Sequence, residues 1–233
     1  MPTSVDSGRG LGDIHATIQA YYDQKLQRYG ATPLGVDWTC LATQELRFVH
    51  LLKLCDFSTA FSLNDLGCGY GALVAYLTKY HSQAEVDYLG VDLSAAMVRQ
   101  AKRLHQRQGN VGFINGSVNP RIADYSVASG IFNVKLHHSL VSWERFVRRT
   151  LVDMDATSRR GFAVNFMAPV PRGQSSPVEL YRTTPDAWTS YCQEKLGCSV
   201  EVLENYGMRE FTLLARPERL AYRHRRPRPL AHP

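Results

Sequence analysis

Eight residues, Asn64-Asp65-Leu66-Gly67-Cys68-Gly69-Tyr70-Gly71, carry the sharpest chemical signal in the sequence. They lie between a short apolar run and a helical pattern, so their glycines let the backbone pass close to a ligand where a strand turns into a helix. A nucleoside suits such a loop. The next apolar run ends in Asp92, 21 residues after Gly71, where a carboxylate can accept both ribose hydroxyl protons. A dinucleotide site meets the same conditions, because Gly67 through Ala72 satisfies the looser form of that pattern. Asp65 separates the two readings: dinucleotide loops carry an apolar residue there and keep the helix N-terminus free for a pyrophosphate, whereas a carboxylate at that mouth suits a cationic ligand. Further along, His137-His138 follows the fourth apolar run, and either imidazole is suited to take a proton from a hydroxyl near neutral pH. Arg172, Tyr181 and Arg182 fall in an irregular stretch in which two arginines suit an anionic substrate.

These residues need elements to position them. Residues 1–11, rich in glycine, are expected to be disordered. Ile14, Ile18, Tyr21, Tyr22 and Leu26 recur at helical spacing up to Gly30, a C-terminal cap, and a second amphipathic helix is expected from Leu41 to Cys55. From Ser62 the texture changes. Strands at Ser62–Leu66, Val86–Val91, Val111–Ile114, Tyr125–Phe132 and Gly161–Met167 alternate with helices at Ala72–Tyr80 and Ala95–His105 and with one capped by Ser142. That alternation predicts a parallel α/β sheet with crossover helices. Thr184-Pro185 opens a last helix, and Ser199–Leu203 with Glu210–Ala215 forms an antiparallel pair.

On Asp65, Gly67, Gly69 and Gly71 the sequence resembles the class I S-adenosylmethionine-dependent methyltransferases, whose first motif is an acidic residue followed by Gly-x-Gly-x-Gly. The resemblance covers about residues 62 to 215. It implies a Rossmann-like, doubly wound sheet of seven strands in the order 3-2-1-4-5-7-6, the seventh antiparallel, with S-adenosyl-L-methionine as cofactor and S-adenosyl-L-homocysteine as product. Asp92-Leu93 resembles the ribose-holding second motif, and Met97 stands where the family places an apolar contact to adenine. Ser117 and Val118 fall in the adenine-contacting segment, and Ser129-Gly130 in the one lying against the methionine part. The front, from Tyr21-Tyr22 through Trp38 to Phe48, is similar to a bacterial subgroup and implies a helical lid. From the residues themselves, Arg47 either grips the methionine carboxylate with its fork or forms a surface ion pair; of the adjacent Tyr21 and Tyr22 one packs in the core and the other walls a ligand, Tyr22 being assigned to the sulfonium and Tyr21, with Trp38, to the substrate. Cys68 lies in the cofactor loop as a buried thiol packed under the turn, not as a nucleophile. Asn133 occupies the place where enzymes that methylate nucleobase or amide nitrogens carry Asn-Pro-Pro-Tyr; the missing prolines speak against DNA or glutamine and leave RNA open.

The 233 residues carry a net charge of +6, of which six arginines and one glutamate from Arg216 onward contribute +5. The body is nearly neutral, so nucleic acid is not the expected partner, and residues 218–233 are expected to form a solvated Arg/Pro-rich tail. No apolar stretch approaches the length of a membrane span, the start lacks the pattern of a secretory signal, and the five cysteines have no zinc or redox spacing. A cytoplasmic protein is expected, with residues 12–61 as lid and 62–217 as the cofactor-binding domain. The expected activity is methyl transfer to a heteroatom, oxygen first, of a small anionic metabolite, with His137 or His138 as base and no metal required. Its rivals are a peptide or RNA methyltransferase guided by the tail and a non-catalytic cofactor-binding module. Oligomeric state is not legible.

Overall fold

A computed structural model describes residues 7–171 and 173–218. Seven strands, β1 (Phe61–Leu66), β2 (Val86–Asp92), β3 (Val111–Asn115), β4 (Ala123–Ala128), β5 (Ser158–Met167), β6 (Cys198–Leu203) and β7 (Glu210–Pro217), form one sheet in the order 3-2-1-4-5-7-6. The first five are parallel, and β7 runs antiparallel to both β5 and β6. This is the topology implied by the resemblance. The near-continuous burial of β1, β4 and β5 follows from helices covering both faces.

Helices α2 (Leu41–Leu51), α3 (Ala72–Tyr80) and α4 (Ala95–Leu104) pack Phe48, Leu51, Leu73, Val74, Val98 and Ala101 into the core of one face. On the other face α5 (Leu140–Ala156) and α6 (Pro185–Leu196) contribute Trp143, Val147, Leu151, Met154 and Trp188. The first helix, α1 (Ser7–Tyr29), joins the two. Its Ile14 and Ile18 belong to the α5 side, whereas Leu26 packs with Tyr70 and Met97 on the α4 side. Twelve residues of helix span about 18 Å, so α1 crosses over the ends of the central strands as a roof.

Several boundaries differ from the expectation, each for a local reason. The helix begins at Ser7, so residues 7–11, expected to be disordered, belong to it; residues 1–6 lie outside the described residues, as does the tail beyond Glu218. α2 ends at Leu51 and tightens into a 3-10 turn at Leu52–Leu54. It is also core, not lid: Phe48, Leu51, Leu52 and Leu54 are buried among residues of β1, β4, β5 and β7. β4 stops at Ala128 instead of Phe132 because Gly130, at φ 76°, turns the chain out of the sheet. α5 is capped by Ser139, whose hydroxyl accepts from the Ser142 N–H at 3.2 Å, and not by Ser142 itself. Among the described residues no helix is long and apolar enough to cross a membrane.

Candidate active site

Beneath α1, at the C-terminal ends of β1, β2 and β4, lies a cleft of about 1030 Å³ counted to its open mouth. Its floor is the glycine loop. The Gly67 and Cys68 N–H groups donate to the Val91 carbonyl, at 2.7 and 3.1 Å, and so fold the loop back onto β2. Gly67 has φ 78°, and a Cβ there would stand 2.2 Å from the Ile131 side chain, so a larger residue at this position meets both backbone strain and a wall of the cleft.

Two carboxylates close the floor. Asp92 accepts from the Gly69 N–H through one oxygen and from the Ser94 N–H through the other, both at 2.8 Å, and burial pushes its pKa up to about 6 against the pull of those two bonds. Asp65, 3% exposed, accepts from the Tyr88 hydroxyl at 2.6 Å. Burial, helped by the charge of Asp92, pushes its pKa up to about 7 although the Tyr88 bond lowers it. Beside them the Ser129 hydroxyl lines the cleft without a hydrogen-bond partner. A cradle of close-approaching backbone, two carboxylates held above their ordinary pKa and an unpaired hydroxyl fits a ligand that brings a cation and hydroxyl donors.

The roof is latched at the C-terminal end of its cleft-facing part. The Tyr21 hydroxyl donates to Asp37 at 2.5 Å and Lys25 pairs with the same carboxylate at 2.6 Å. Asp37, at φ 62°, ends the 3-10 turn Pro33–Val36, and its neighbour Trp38 reaches into the cleft. The Ser94 hydroxyl donates to Asp23 while capping α4 through the Met97 N–H.

The structure brings many of the sequence-predicted residues to this one place. Tyr22, Asp65, Gly67, Cys68, Gly69 and Asp92 line the cleft, and so do Leu93, Met97, Ser117, Ser129, Gly130 and Trp38. The Cys68 thiol is buried against Gly90, and burial first, then Asp92 and Asp65, holds its pKa well above the ordinary thiol value. Gly71 lies just outside, capping α3 with φ 85°, and Val118 is exposed.

Other assignments are corrected by the geometry. Arg47 does not line the cleft: its Nε donates to Glu210 at 2.8 Å, a second nitrogen bonds the other Glu210 oxygen, and a third donates to the Thr43 carbonyl at 2.6 Å. The pair is buried and extends to the cleft wall, because Glu210 also accepts from the Asn165 amide at 2.9 Å and Asn165 accepts from the Gly130 N–H at 2.7 Å. The Arg47 guanidinium stacks on Trp38 with 3.7 Å to the ring centroid. Its fork therefore braces the wall and is not open to a carboxylate ligand. Tyr21 is engaged with Asp37 outside the cleft, and Asn133 is buried behind Gly130. Tyr181 belongs to the core and accepts from the Trp188 indole at 3.2 Å. Arg182 ties its own loop together through Ser176 and the Ala168 carbonyl, each at 2.8 Å. Arg172 lies outside the described residues. His137 and His138 stand beyond the cleft, in the loop before α5, because the chain leaves β4 four residues earlier than the strand expectation assumed.

His15 is the lining residue whose chemistry the sequence reading missed. It stands half-buried beside Phe146, ring centroids 5.7 Å apart, and burial lowers its pKa, which favours the neutral imidazole. His15, Gln19 and Tyr22 recur at i, i+4 and i+7, a polar edge along α1 next to its apolar stripe. That spacing was available from the sequence; what it faces was not.

Residues 64–152 match the pattern of a methyltransferase domain. A putative methyltransferase of Mycobacterium tuberculosis is 39% identical over 165 residues, 71% of this chain and 98% of the relative. Among solved structures, human N-acetylserotonin methyltransferase in complex with S-adenosylmethionine superposes with a TM-score of 0.61 at 16% identity, over 88% of this chain and 59% of that one. Magnesium protoporphyrin IX methyltransferase from Synechocystis, with bound S-adenosylhomocysteine, gives 0.53 at 16% identity, over 88% of this chain and 86% of that one.

Proposed function

This chain belongs to the class I S-adenosylmethionine-dependent methyltransferases, and on that footing we propose that it methylates an oxygen of a small metabolite held under the α1 roof. The observation that carries this reading is the pair of carboxylates, Asp65 and Asp92, on a cleft floor that has no lysine or arginine beside it among the described lining residues. Such a floor favours a cationic, hydroxylated cofactor over a pyrophosphate. When bound, S-adenosylmethionine supplies a methyl group on a positively charged sulfur.

Asp92 would accept the ribose hydroxyls, and its bonds from Gly69 and Ser94 aim the carboxylate before a ligand arrives. Leu93 and Met97 would give adenine an apolar wall, and Ser117 would offer it a hydroxyl. Asp65 would take the cofactor's ammonium, which would offset the cost of its buried negative charge. Tyr22 and Trp38 line the cleft, and aromatic rings favour a sulfonium. The α1 roof keeps water from the reacting atoms. His15, whose neutral form burial favours, takes the proton of the acceptor hydroxyl as the methyl arrives.

An anionic acceptor was expected from Arg172 and Arg182, but Arg182 is engaged with its own loop. With no cation among the described lining residues, the acceptor is taken to be uncharged where it enters the cleft. The test is to incubate the protein with cofactor carrying an isotopically labelled methyl group and a deproteinised, RNA-free extract of small metabolites, with RNA and with peptides in parallel. Label in a low-mass product whose methyl is bonded to oxygen supports the proposal; label in RNA or peptide alone, or in none of the three, contradicts it.

A further inference from the structure

His137 and His138 are not idle outside the cleft: with Asp13 of α1 they form a cluster in which one donor atom from each lies within 4.8 Å of the others. Neighbouring residues ordinarily direct their side chains apart. Here Leu136 ahead of them adopts φ 51°, a left-handed conformation that costs a bulky residue roughly 1–2 kcal/mol. Beyond that kink the two imidazoles lie side by side, centroids 4.5 Å apart and planes 31° from parallel. The loop is fixed in this shape by Lys135, whose ammonium donates to the Leu136 and His138 carbonyls at 3.2 Å each, and by the Lys135 and Leu136 N–H groups, which both reach the Glu179 carbonyl. His138 is only 7% exposed, yet its ring is not fully satisfied among the described residues. Nε2 has no partner at all, and Nδ1 looks toward the Asp13 carboxylate at 3.8 Å, beyond hydrogen-bonding reach. A buried imidazole with an unpaired Nε2 and an Nδ1 turned toward an exposed carboxylate calls for a ligand.

We propose that Asp13, His137 and His138 bind one divalent transition-metal ion, zinc by preference, which fastens the roof helix α1 to the loop between β4 and α5. Two imidazoles and a carboxylate, with water in the fourth position, form a donor set that tetrahedral zinc accepts. Bonds of about 2.0–2.1 Å place tetrahedral ligand atoms roughly 3.4 Å apart, so the widest gap must close by a little over ~1 Å. Asp13 and His137 are exposed and can swing inward, while His138, stacked along Trp143, supplies the fixed ligand. The nearby Lys135 ammonium opposes a dication, and so the expected affinity is micromolar, weaker than that of closed structural zinc sites. Because the same helix carries His15, Gln19 and Tyr22 into the cleft, a bound ion holds the roof down and slows cofactor release.

The full-length protein, free of any affinity tag and stripped with a chelator, is titrated with zinc chloride in a calorimeter at neutral pH. One ion per chain is expected, with Asp13→Asn and His137→Ala each weakening it at least tenfold. Zinc should raise the melting temperature of the wild type and not of the double variant, in which both altered side chains are exposed and circular dichroism checks the fold. Cobalt in place of zinc should give the visible absorption of a tetrahedral site, lost in the double variant. Zinc binding that persists undiminished in the double variant, or an absence of saturable binding in the micromolar range, overturns the proposal.

Discussion

Replacing Asp65 by Asn should make the protein more stable and a poorer binder of its cofactor. The carboxyl is 3% exposed at the end of β1, with one hydrogen bond, from Tyr88. Its folded pKa stands at about 7, against about 3.9 in an unfolded chain. An acid whose proton is held more tightly in the folded state favours folding least once it ionises. Its penalty is absent below about pH 4, grows as pH rises and levels off above about 7, where three pK units amount to about 4 kcal/mol. An Asn carbonyl keeps the Tyr88 bond and carries no charge, although its amide brings two donors of its own. We therefore expect a gain of about 2–4 kcal/mol for the cofactor-free variant at pH 8, which for a chain of this size is roughly 5–15 °C in melting temperature, shrinking to about 1 kcal/mol at pH 5. Cofactor affinity should fall at least tenfold if, as proposed, the charge that costs stability is the one that receives the ammonium. In the wild type, S-adenosylhomocysteine should bind more tightly as pH rises from 6 to 8 and release protons on binding, and this dependence should weaken in the variant. Scanning calorimetry at the two pH values and titration calorimetry in two buffers read both effects. A lower melting temperature at pH 8, or a gain equal at both pH values, refutes the reasoning.

Glu210→Gln leaves the buried Arg47 without its counter-charge and loosens the chain of bonds to Gly130. It should cost about 3–5 kcal/mol, read as a fall in the midpoint of urea unfolding; a change under about 1 kcal/mol would mean that the pair is not buried in solution. His15→Gln should lower turnover about a hundredfold with S-adenosylhomocysteine affinity unchanged, once an acceptor is in hand. A matching loss of affinity would instead place His15 against the cofactor.

The part of the cleft built from the sheet ends was legible because it depends on short-range patterns. A glycine loop after a strand, a carboxylate at the end of the next strand and a Ser-Gly pair at the end of the fourth are each local, and the alternating texture fixed the sheet that aligns them. The remainder depends on long-range pairing. Arg47 on an amphipathic helix is equally compatible with a ligand, with solvent or with Glu210, which lies 163 residues away, and nothing near either residue announces the other. His15 gained its place only because α1 crosses the sheet ends, a path set by Ile14, Ile18 and Leu26 packing on opposite sides of the domain. The histidine pair was misplaced because Gly130 ends β4 early and Leu136 takes a left-handed conformation that a leucine gives no reason to expect. Tyr181 and Arg182 looked available in an irregular stretch, yet backbone bonds such as Tyr181 N–H to the Asn133 carbonyl, 2.8 Å, stitch that stretch to the core.

The central claim, that the cleft under α1 binds S-adenosylmethionine through Asp92, is tested most directly by titrating S-adenosylhomocysteine into the wild type and Asp92→Ala in a calorimeter. One site per chain with micromolar affinity is predicted, weakened by about 1.5–3 kcal/mol, or roughly ten- to a hundredfold, in the variant. No binding to the wild type, or equal affinity for the two proteins, would contradict it.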